Sequence, residues 1–405
     1  MTEIKKIEYK LPLPAAVEFV IDRLRSDGYE AFAVGGAVRD HVMGREPGDY
    51  DVTTSATPDE MLSVFEGERV VETGLKHGTL TVVKNGMNIE TTTYRIDGSY
   101  ADGRHPDSVK FTSSLTEDLR RRDFTINAMA YSPDGYLVDI FGGHEDIESK
   151  TIRCVGLSRE RFTEDGLRIL RALRFASVLG FTPDEECRDA VRELTPLLEK
   201  ISRERIYVEV TKLICGKNAE AIVRDYADVL AFVMPPLTQD GARRSADAIA
   251  RLYTIRSKTA DVRYAALLES LDYDSAAAVM TSLKPSTDEK KEVLSLVKTR
   301  GMKIESEYDV LCLMRDHGDV FPHRFAALEY AAGRIDIERA TMICELAKTA
   351  VRENRIRRIS QLSVSGADMI ALGYRGEEIG AKLREILDEE MRAGKNSDAE
   401  SPHSH

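Results

Sequence analysis

The chain has 405 residues, 42% hydrophobic and 31% charged, a length and balance that exclude a disordered chain or a stapled miniprotein and predict roughly two to four domains. With 57 Lys+Arg against 69 Asp+Glu the net charge is −12, which argues against a generic basic binder of polyanions. Five scattered cysteines (Cys154, Cys187, Cys215, Cys312 and Cys344) form no CxxC pair, so neither a zinc ribbon nor a disulfide framework is expected.

The opening MTEIKKIEYKLPLP has no apolar stretch of a secretory leader, and no run of about 18 apolar residues follows. Neither a leader nor a membrane helix is expected, and a cytoplasmic location is the default. Val17, Val20, Ile21 and Leu24 recur at helical spacing and predict a helix over 15–25. Strands are expected at Ala31–Val34, Tyr50–Val52, Leu80–Val83 and Met87–Tyr94, and a Gly-rich loop at Gly98–Pro106. From Glu164 onward the period is helical. EDGLRILRALRFASVLG predicts a helix that stops near Gly180, ahead of Pro183. The fold class is therefore α+β: a small mixed sheet with helices, then helices alone. The last ten residues, 396–405, are expected to be disordered.

Three stretches carry chemistry. In VGGAVRD (Val34–Asp40) a predicted strand runs into two glycines and a predicted helix start, a junction that suits a phosphate, with Arg39 placed to pair with it. Asp49 and Asp51, two apart on a strand, project from one face and repel unless a cation lies between them. Mg²⁺ fits such hard oxygen donors, and Glu90 is a candidate third acid. A pair of ions there would clamp the attacking and leaving oxygens of a nucleotidyl transfer. In RRRDFTINAM (Arg120–Met129), Asp123 and Asn127 would share a helix face, either to bind a sugar or to order the arginines; a solvated basic face is the alternative. In EDGLRILRALR (Glu164–Arg174), Asp165, Arg168, Arg171 and Arg174 step by three along the expected helix, either as a functional stripe or as an ordinary amphipathic helix with an Asp165–Arg168 ion pair.

GGAVRD, GDYD, RRDFTINAMAY and EDGLRILRALRF, in this order, resemble the motifs of class II tRNA nucleotidyltransferases, the CCA-adding enzymes and related bacterial poly(A) polymerases. VDIFGGHEDIESKTIRCVG (Val138–Gly156) and DMIALGYRGEEIGAKLREIL (Asp368–Leu387) extend the likeness. The resemblance is close over 25–215 and only helical in character over 216–360. It implies a nucleotidyltransferase head (1–150), a neck that recognises the base (151–215), a body (216–300) and a tRNA-binding tail (301–395). It implies Asp49 and Asp51 as Mg²⁺ ligands, with Glu90 a candidate third acid, and Gly36, Arg39 and Arg122 at the nucleotide. Asp123 and Asn127 would be nucleotide-binding too. Asp165 and Arg168 would read the base, with Arg171 and Arg174 near the phosphates. The partners implied are tRNA, CTP and ATP; no membrane is expected, and the chain would be a monomer or homodimer. The reaction would be template-independent CCA addition. CC-only or A-only addition, poly(A) synthesis and an inactive RNA-binding protein are the rivals. The loop over 97–107 looks complete, which in this family favours full CCA addition. The acidic end DEEMRAGKNSDAESPHSH lacks the basic extension of poly(A) polymerases. Arg263–Ser270 carries no His-Asp pair, so no second phosphohydrolase site is expected.

The charge divides unevenly. Residues 1–150 carry 17 basic and 27 acidic side chains, a net −10, which leaves −2 for the remainder. Within that remainder RILRALR (168–174), RLYTIRSK (251–258) and RENRIRR (352–358) are basic. Arg352, Arg355, Arg357 and Arg358 are therefore candidate RNA contacts, with a solvated helix face as the alternative.

Overall fold

The computed structural model describes residues 6–98, 109–256 and 259–397. Most of the 97–107 loop, the end of RLYTIRSK and residues 398–405 lie outside the described residues. Contacts divide the chain into two compact units, 1–218 and 219–405.

Unit 1 is built on a mixed sheet. Its strands are β1 (Lys6–Glu8), β2 (Ala31–Val34), β3 (Tyr50–Thr54), β4 (Arg69–Gly74), β5 (Thr79–Lys84) and β6 (Met87–Thr93). A separate hairpin is made by β7 (Arg95–Asp97) and β8 (Val109–Phe111), and β9 (Met129–Ser132) and β10 (Tyr136–Asp139) return to the main sheet. The order is β1-β10-β9-β2-β3-β6-β5-β4, antiparallel except where β3 lies parallel to β6. The helix α1 (Ala15–Ser26) buries Val17, Val20, Ile21 and Leu24 completely, each worth about 1.5–3 kcal/mol. Its stripe is the one read from sequence, extended by one residue. After β2 comes α2 (Gly36–Val42). After β3, α3 (Pro58–Val64) begins with a capping box between Thr57 and Glu60. The helix α4 (Leu115–Arg120) packs beside the β7–β8 hairpin, and α5 (Gly143–Glu148) follows β10.

Four helices complete unit 1: α6 (Ser158–Glu164), α7 (Leu167–Leu179), α8 (Glu185–Leu194) and α9 (Arg203–Ile214). The single helix expected from Glu164 is in fact two. Asp165 is extended (φ −139°, ψ 105°) and Gly166 caps α7. A Cβ on Gly166 would come within 3.2 Å of Leu197, so the joint is pressed against a neighbouring segment and the chain turns there. Asp165 therefore does not share a helix face with Arg168. The end falls as expected, with Gly180 left-handed at the C-cap (φ 68°). Leu167, Leu170 and Leu173 are buried.

Unit 2 is helical: α10 (Ala219–Asp225), α11 (Ala227–Val233), α12 (Gln239–Thr254), α13 (Ala260–Leu267), α14 (Tyr273–Leu283), α15 (Thr287–Thr299), α16 (Glu307–His317), α17 (Phe321–Ala331), α18 (Ile337–Arg352), α19 (Gly366–Ala371) and α20 (Glu377–Arg392). Ser286, Ser306 and Ser365 start α15, α16 and α19 with capping boxes, each cap worth about 1 kcal/mol. Residues 262–267 of α13 are buried throughout. Asn396 and Ser397, expected to be disordered, are held: Asn396 bridges to Arg355, and the Ser397 N–H donates to the Asn354 carbonyl at 2.8 Å. Among the described residues no helix is long and apolar enough to cross a membrane.

Candidate active site

The chain leaves β2 at Gly35, whose φ of 74° favours glycine. A Cβ there would lie 3.3 Å from Arg122 Nη1 and 3.5 Å from Asp51 Oδ2, so the bare backbone lets a guanidinium and a carboxylate crowd the turn. Asp51 lies on β3, in register with Glu90 on β6, and Asp49 lies two residues earlier, just before the strand. All three acids border one cavity of 460 Å³. Burial pushes the Asp51 carboxyl up to about 6; Arg122 pulls it down, and Glu90 and Asp49 push it further up. Such a carboxylate gains from a cation. Among the described residues no three acids, histidines or cysteines form a ready-made metal cage. Two aspartates completed by substrate oxygens still fit a hard divalent ion, so Asp49 and Asp51 are suitable donors and Glu90 stands beside them.

Asp49 and Asp51 also border a second, larger cavity of 570 Å³. Gly36, Arg39, Arg122, Asp123, Asn127, Asp165, Arg168, Arg171 and Arg174 line it too, so it gathers every expected nucleotide-binding residue. Eight arginines and four aspartates face it, a local excess of four positive charges to which residues 165–205 contribute four of the arginines and one aspartate. The net charge of residues 1–150 therefore does not describe the cavity that they and the helices after them line.

Each cation is held by a partner. Arg39 pairs with Asp40 and donates from Nη1 to Asn127 Oδ1 at 2.8 Å. Asn127 donates onward to Asp123 Oδ1 at 3.3 Å, and Arg171 Nε donates to Asp123 Oδ2 at 2.8 Å. Asp123 and Asn127 thus meet as expected, although Asp123 precedes a single 3₁₀ turn (Thr125–Asn127) and the two do not share a helix face. Burial opposes the charge of Asp123, but Arg171, Arg168 and the Asn127 amide outweigh it and hold its carboxyl down at about 2. Arg174 pairs with Glu209 at 3.0 Å. The Phe175 ring lies between three guanidiniums, 5.3 Å from Arg39, 5.5 Å from Arg171 and 4.0 Å from Arg174. Arg168 donates from Nη1 to Glu164 at 2.6 Å and from Nη2 to the Arg121 carbonyl at 3.3 Å. Asp165 accepts from the Leu167 N–H at 3.0 Å and from Arg205 Nη2 at 2.8 Å. The expected Asp165–Arg168 ion pair is replaced by these two separate pairs.

Residues 31–153 match the family model described as Poly A polymerase head domain, and residues 180–237 match that of the Probable RNA and SrmB- binding site of polymerase A. A CCA-adding enzyme of Geobacillus kaustophilus is 34% identical to this chain, over 94% of it and 93% of the relative. The chain belongs to the CCA-adding enzyme family. A second CCA-adding enzyme, from Enterococcus faecalis, is 34% identical over 91% of this chain and 89% of its own. The crystal structure of the Bacillus stearothermophilus CCA-adding enzyme in complex with CTP superposes with a TM-score of 0.80 at 29% identity, covering 94% and 93% of the two chains.

For this member of the CCA-adding family, sequence reasoning assigned no role to Asp118, Glu164, Phe175 or Arg205. Asp118 is fully buried, and it anchors Arg121 at 2.7 Å and Arg122 at 3.4 Å while accepting from Thr53 at 3.0 Å. Its spacing of three and four before those arginines was a local signal. Arg205 carries none, because its partner Asp165 is 40 residues away.

In unit 2 the arginine cluster departs from its expected role. Arg357 is buried, with Asp319 accepting from Nε at 2.8 Å and from Nη2 at 3.0 Å. Arg355 pairs with Glu307 at 3.1 Å and Glu353 at 3.0 Å, and donates to the Gly394 carbonyl. Both are tied into unit 2; Arg357 is buried there, whereas Arg355 is half-buried. Arg352 and Arg358 remain exposed.

Proposed function

We propose that this chain adds C, C and A in turn to the 3′ end of tRNA, using CTP, ATP and Mg²⁺. The observation that carries the reading is that Asp49 and Asp51 border the arginine-lined cavity. The acceptor's 3′-hydroxyl oxygen would bond to the α-phosphorus of the incoming nucleotide. The bond from that phosphorus to the bridging oxygen would break, releasing pyrophosphate. Asp49 and Asp51 would hold Mg²⁺, which when bound neutralises phosphate charge and polarises the reacting oxygens. Arg39, Arg122, Arg171 and Arg174 would take up the triphosphate. Their carboxylate, amide and aromatic partners fix them before the substrate arrives, so little reorganisation is needed at reaction.

Asp165 and Arg168 would select the base. Cytosine and adenine both offer an amino donor beside a ring-nitrogen acceptor, while uracil and guanine offer the reverse. A carboxylate accepting from the amino group and a guanidinium donating to the ring nitrogen suit the first pair. The second pair would leave buried groups unsatisfied, at about 1–3 kcal/mol each. The hold of Arg205 on Asp165 and of Glu164 on Arg168 keeps both readers in one orientation.

The test uses tRNA transcripts ending before CCA, after C and after CC, with labelled CTP and ATP singly and together. Addition that stops at CCA is expected. A product ending at CC or a lone A would move the reading to a partial enzyme, and a long A ladder to poly(A) synthesis.

A further inference from the structure

The catalytic aspartates border two cavities of opposite character. The larger is crowded with arginines. The smaller, of 460 Å³, is lined by Val71, Thr81, Asn88 and Glu90 together with Asp49 and Asp51, and among the described residues no Lys or Arg lines it. The sheet register explains its floor. Val71 on β4 lies opposite Thr81 on β5, Thr81 opposite Glu90 on β6, and Glu90 opposite Asp51 on β3. Residues directly opposite one another in a ladder share a face of the sheet. The four side chains therefore form one row from the sheet edge to Asp51, and Asn88, two residues before Glu90, stands on the same face. Val71, Asn88 and Glu90 are exposed and Thr81 is half-buried.

An in-line displacement brings the nucleophile from the side opposite the leaving group. With the leaving pyrophosphate on the arginine side, the attacking hydroxyl must arrive from the other. A cavity bordered by three carboxylates, with Val71, Tyr50, the Thr81 hydroxyl and the Asn88 amide and, among the described residues, no cation, disfavours a polyphosphate and suits an uncharged nucleoside. We propose that the smaller cavity seats the 3′-terminal nucleoside of the RNA acceptor. Thr81 and Asn88 hydrogen-bond its ribose hydroxyls or base edge, and Val71 packs on its base. The row delivers the terminal hydroxyl to Asp51. This assignment rests on the nucleotidyl-transfer reading above.

Thr81→Val and Asn88→Ala test it, with Thr81→Ser as the conservative control. CTP affinity is measured without acceptor, and the acceptor KM and single-turnover rate are measured with tRNA lacking CCA. We expect CTP affinity within twofold of the unmodified enzyme. The ratio of single-turnover rate to acceptor KM should fall about tenfold in Thr81→Val and Asn88→Ala, the worth of one substrate hydrogen bond, and recover in Thr81→Ser. Retained CTP binding shows that the variants are folded. Unchanged acceptor parameters in both would overturn the assignment and leave the overall reaction standing. So would weakened CTP binding with an unaltered thermal unfolding midpoint, which would move these residues to the nucleotide side. An unmodified enzyme that extends no tRNA would sink both readings.

Discussion

Two arginine-rich regions, one in each unit, look alike in sequence and differ in what their charges do. In unit 1 Arg121, Arg122 and the arginines of 168–174 are paired with Asp118, Asp123, Glu164 and Glu209, yet they still face a cavity. In unit 2 the cluster at 352–358 contains two arginines whose guanidiniums are consumed by Asp319, Glu307 and Glu353. The carboxylate partners in unit 1 orient cations toward a space a ligand can enter. Those in unit 2 fasten helix ends to one another. A run of arginines becomes a candidate site only when its partners leave it facing a cavity or solvent, and that depends on residues far away in the chain.

The largest effect should come from removing the acids that border both unit 1 cavities. Asp49→Ala or Asp51→Ala should lower nucleotide incorporation by at least about a thousandfold, the scale of losing a principal electrostatic group. The tRNA affinity, read by filter binding, should change less than threefold. Near-normal incorporation in either variant would remove the aspartates from the chemistry. Next in size is Arg168→Ala. It should reduce discrimination of CTP and ATP against UTP by about 10–100-fold, as expected when a donor that reads the base is lost, while CTP incorporation itself falls less. Arg205→Ala should act in the same direction more weakly, because Asp165 keeps its contact with the Leu167 N–H. Unchanged discrimination in both would mean that this end of the cavity holds something other than the base.

What was legible in the sequence follows a physical rule. The strand Ala31–Val34 and the α1 stripe were readable because periodicity is local and their burial is nearly complete. The glycine turn, the Asp49–Asp51 pair and the arginine motifs were readable because their order is specific. The break at Asp165 was not, because Leu197 pressing on Gly166 is a tertiary event. Nor were the Arg205–Asp165 and Arg357–Asp319 pairs, separated by 40 and 38 residues. Local spacing suggested an Asp165–Arg168 pair; the fold instead gave each residue a distant or preceding partner. The net charge misled for a related reason. It averages over a surface on which eight arginines have been collected into one cavity.

The smallest effects separate the two kinds of arginine within unit 2. Arg357→Ala removes a buried guanidinium from the half-buried Asp319, which keeps Arg358 at 3.0 Å, and should destabilise unit 2 by about 1–3 kcal/mol, read as a lower thermal midpoint. Hydrogen bonds from Arg357 outweigh the burial of Asp319 and, with the charges of Arg357 and Arg358, hold its carboxyl below the usual range. A carboxyl with a lowered folded pKa adds stability that is complete above its unfolded value, about 4. That stability is lost as pH falls through the folded value. The variant's stability deficit should therefore be full at pH 7 and shrink as the solution is acidified. Arg352→Ala and Arg358→Ala, both at exposed positions, should instead leave the thermal midpoint within about 1 °C. If these side chains meet phosphates, the double variant should weaken tRNA binding a few-fold and flatten its dependence on salt by about one unit of slope per contact. A double variant with an unaltered salt slope would show that Arg352 and Arg358 do not touch RNA, and the contrast between the two units would then be sharper: these two exposed arginines would be solvated, and any RNA contact of unit 2 would have to be sought at other residues.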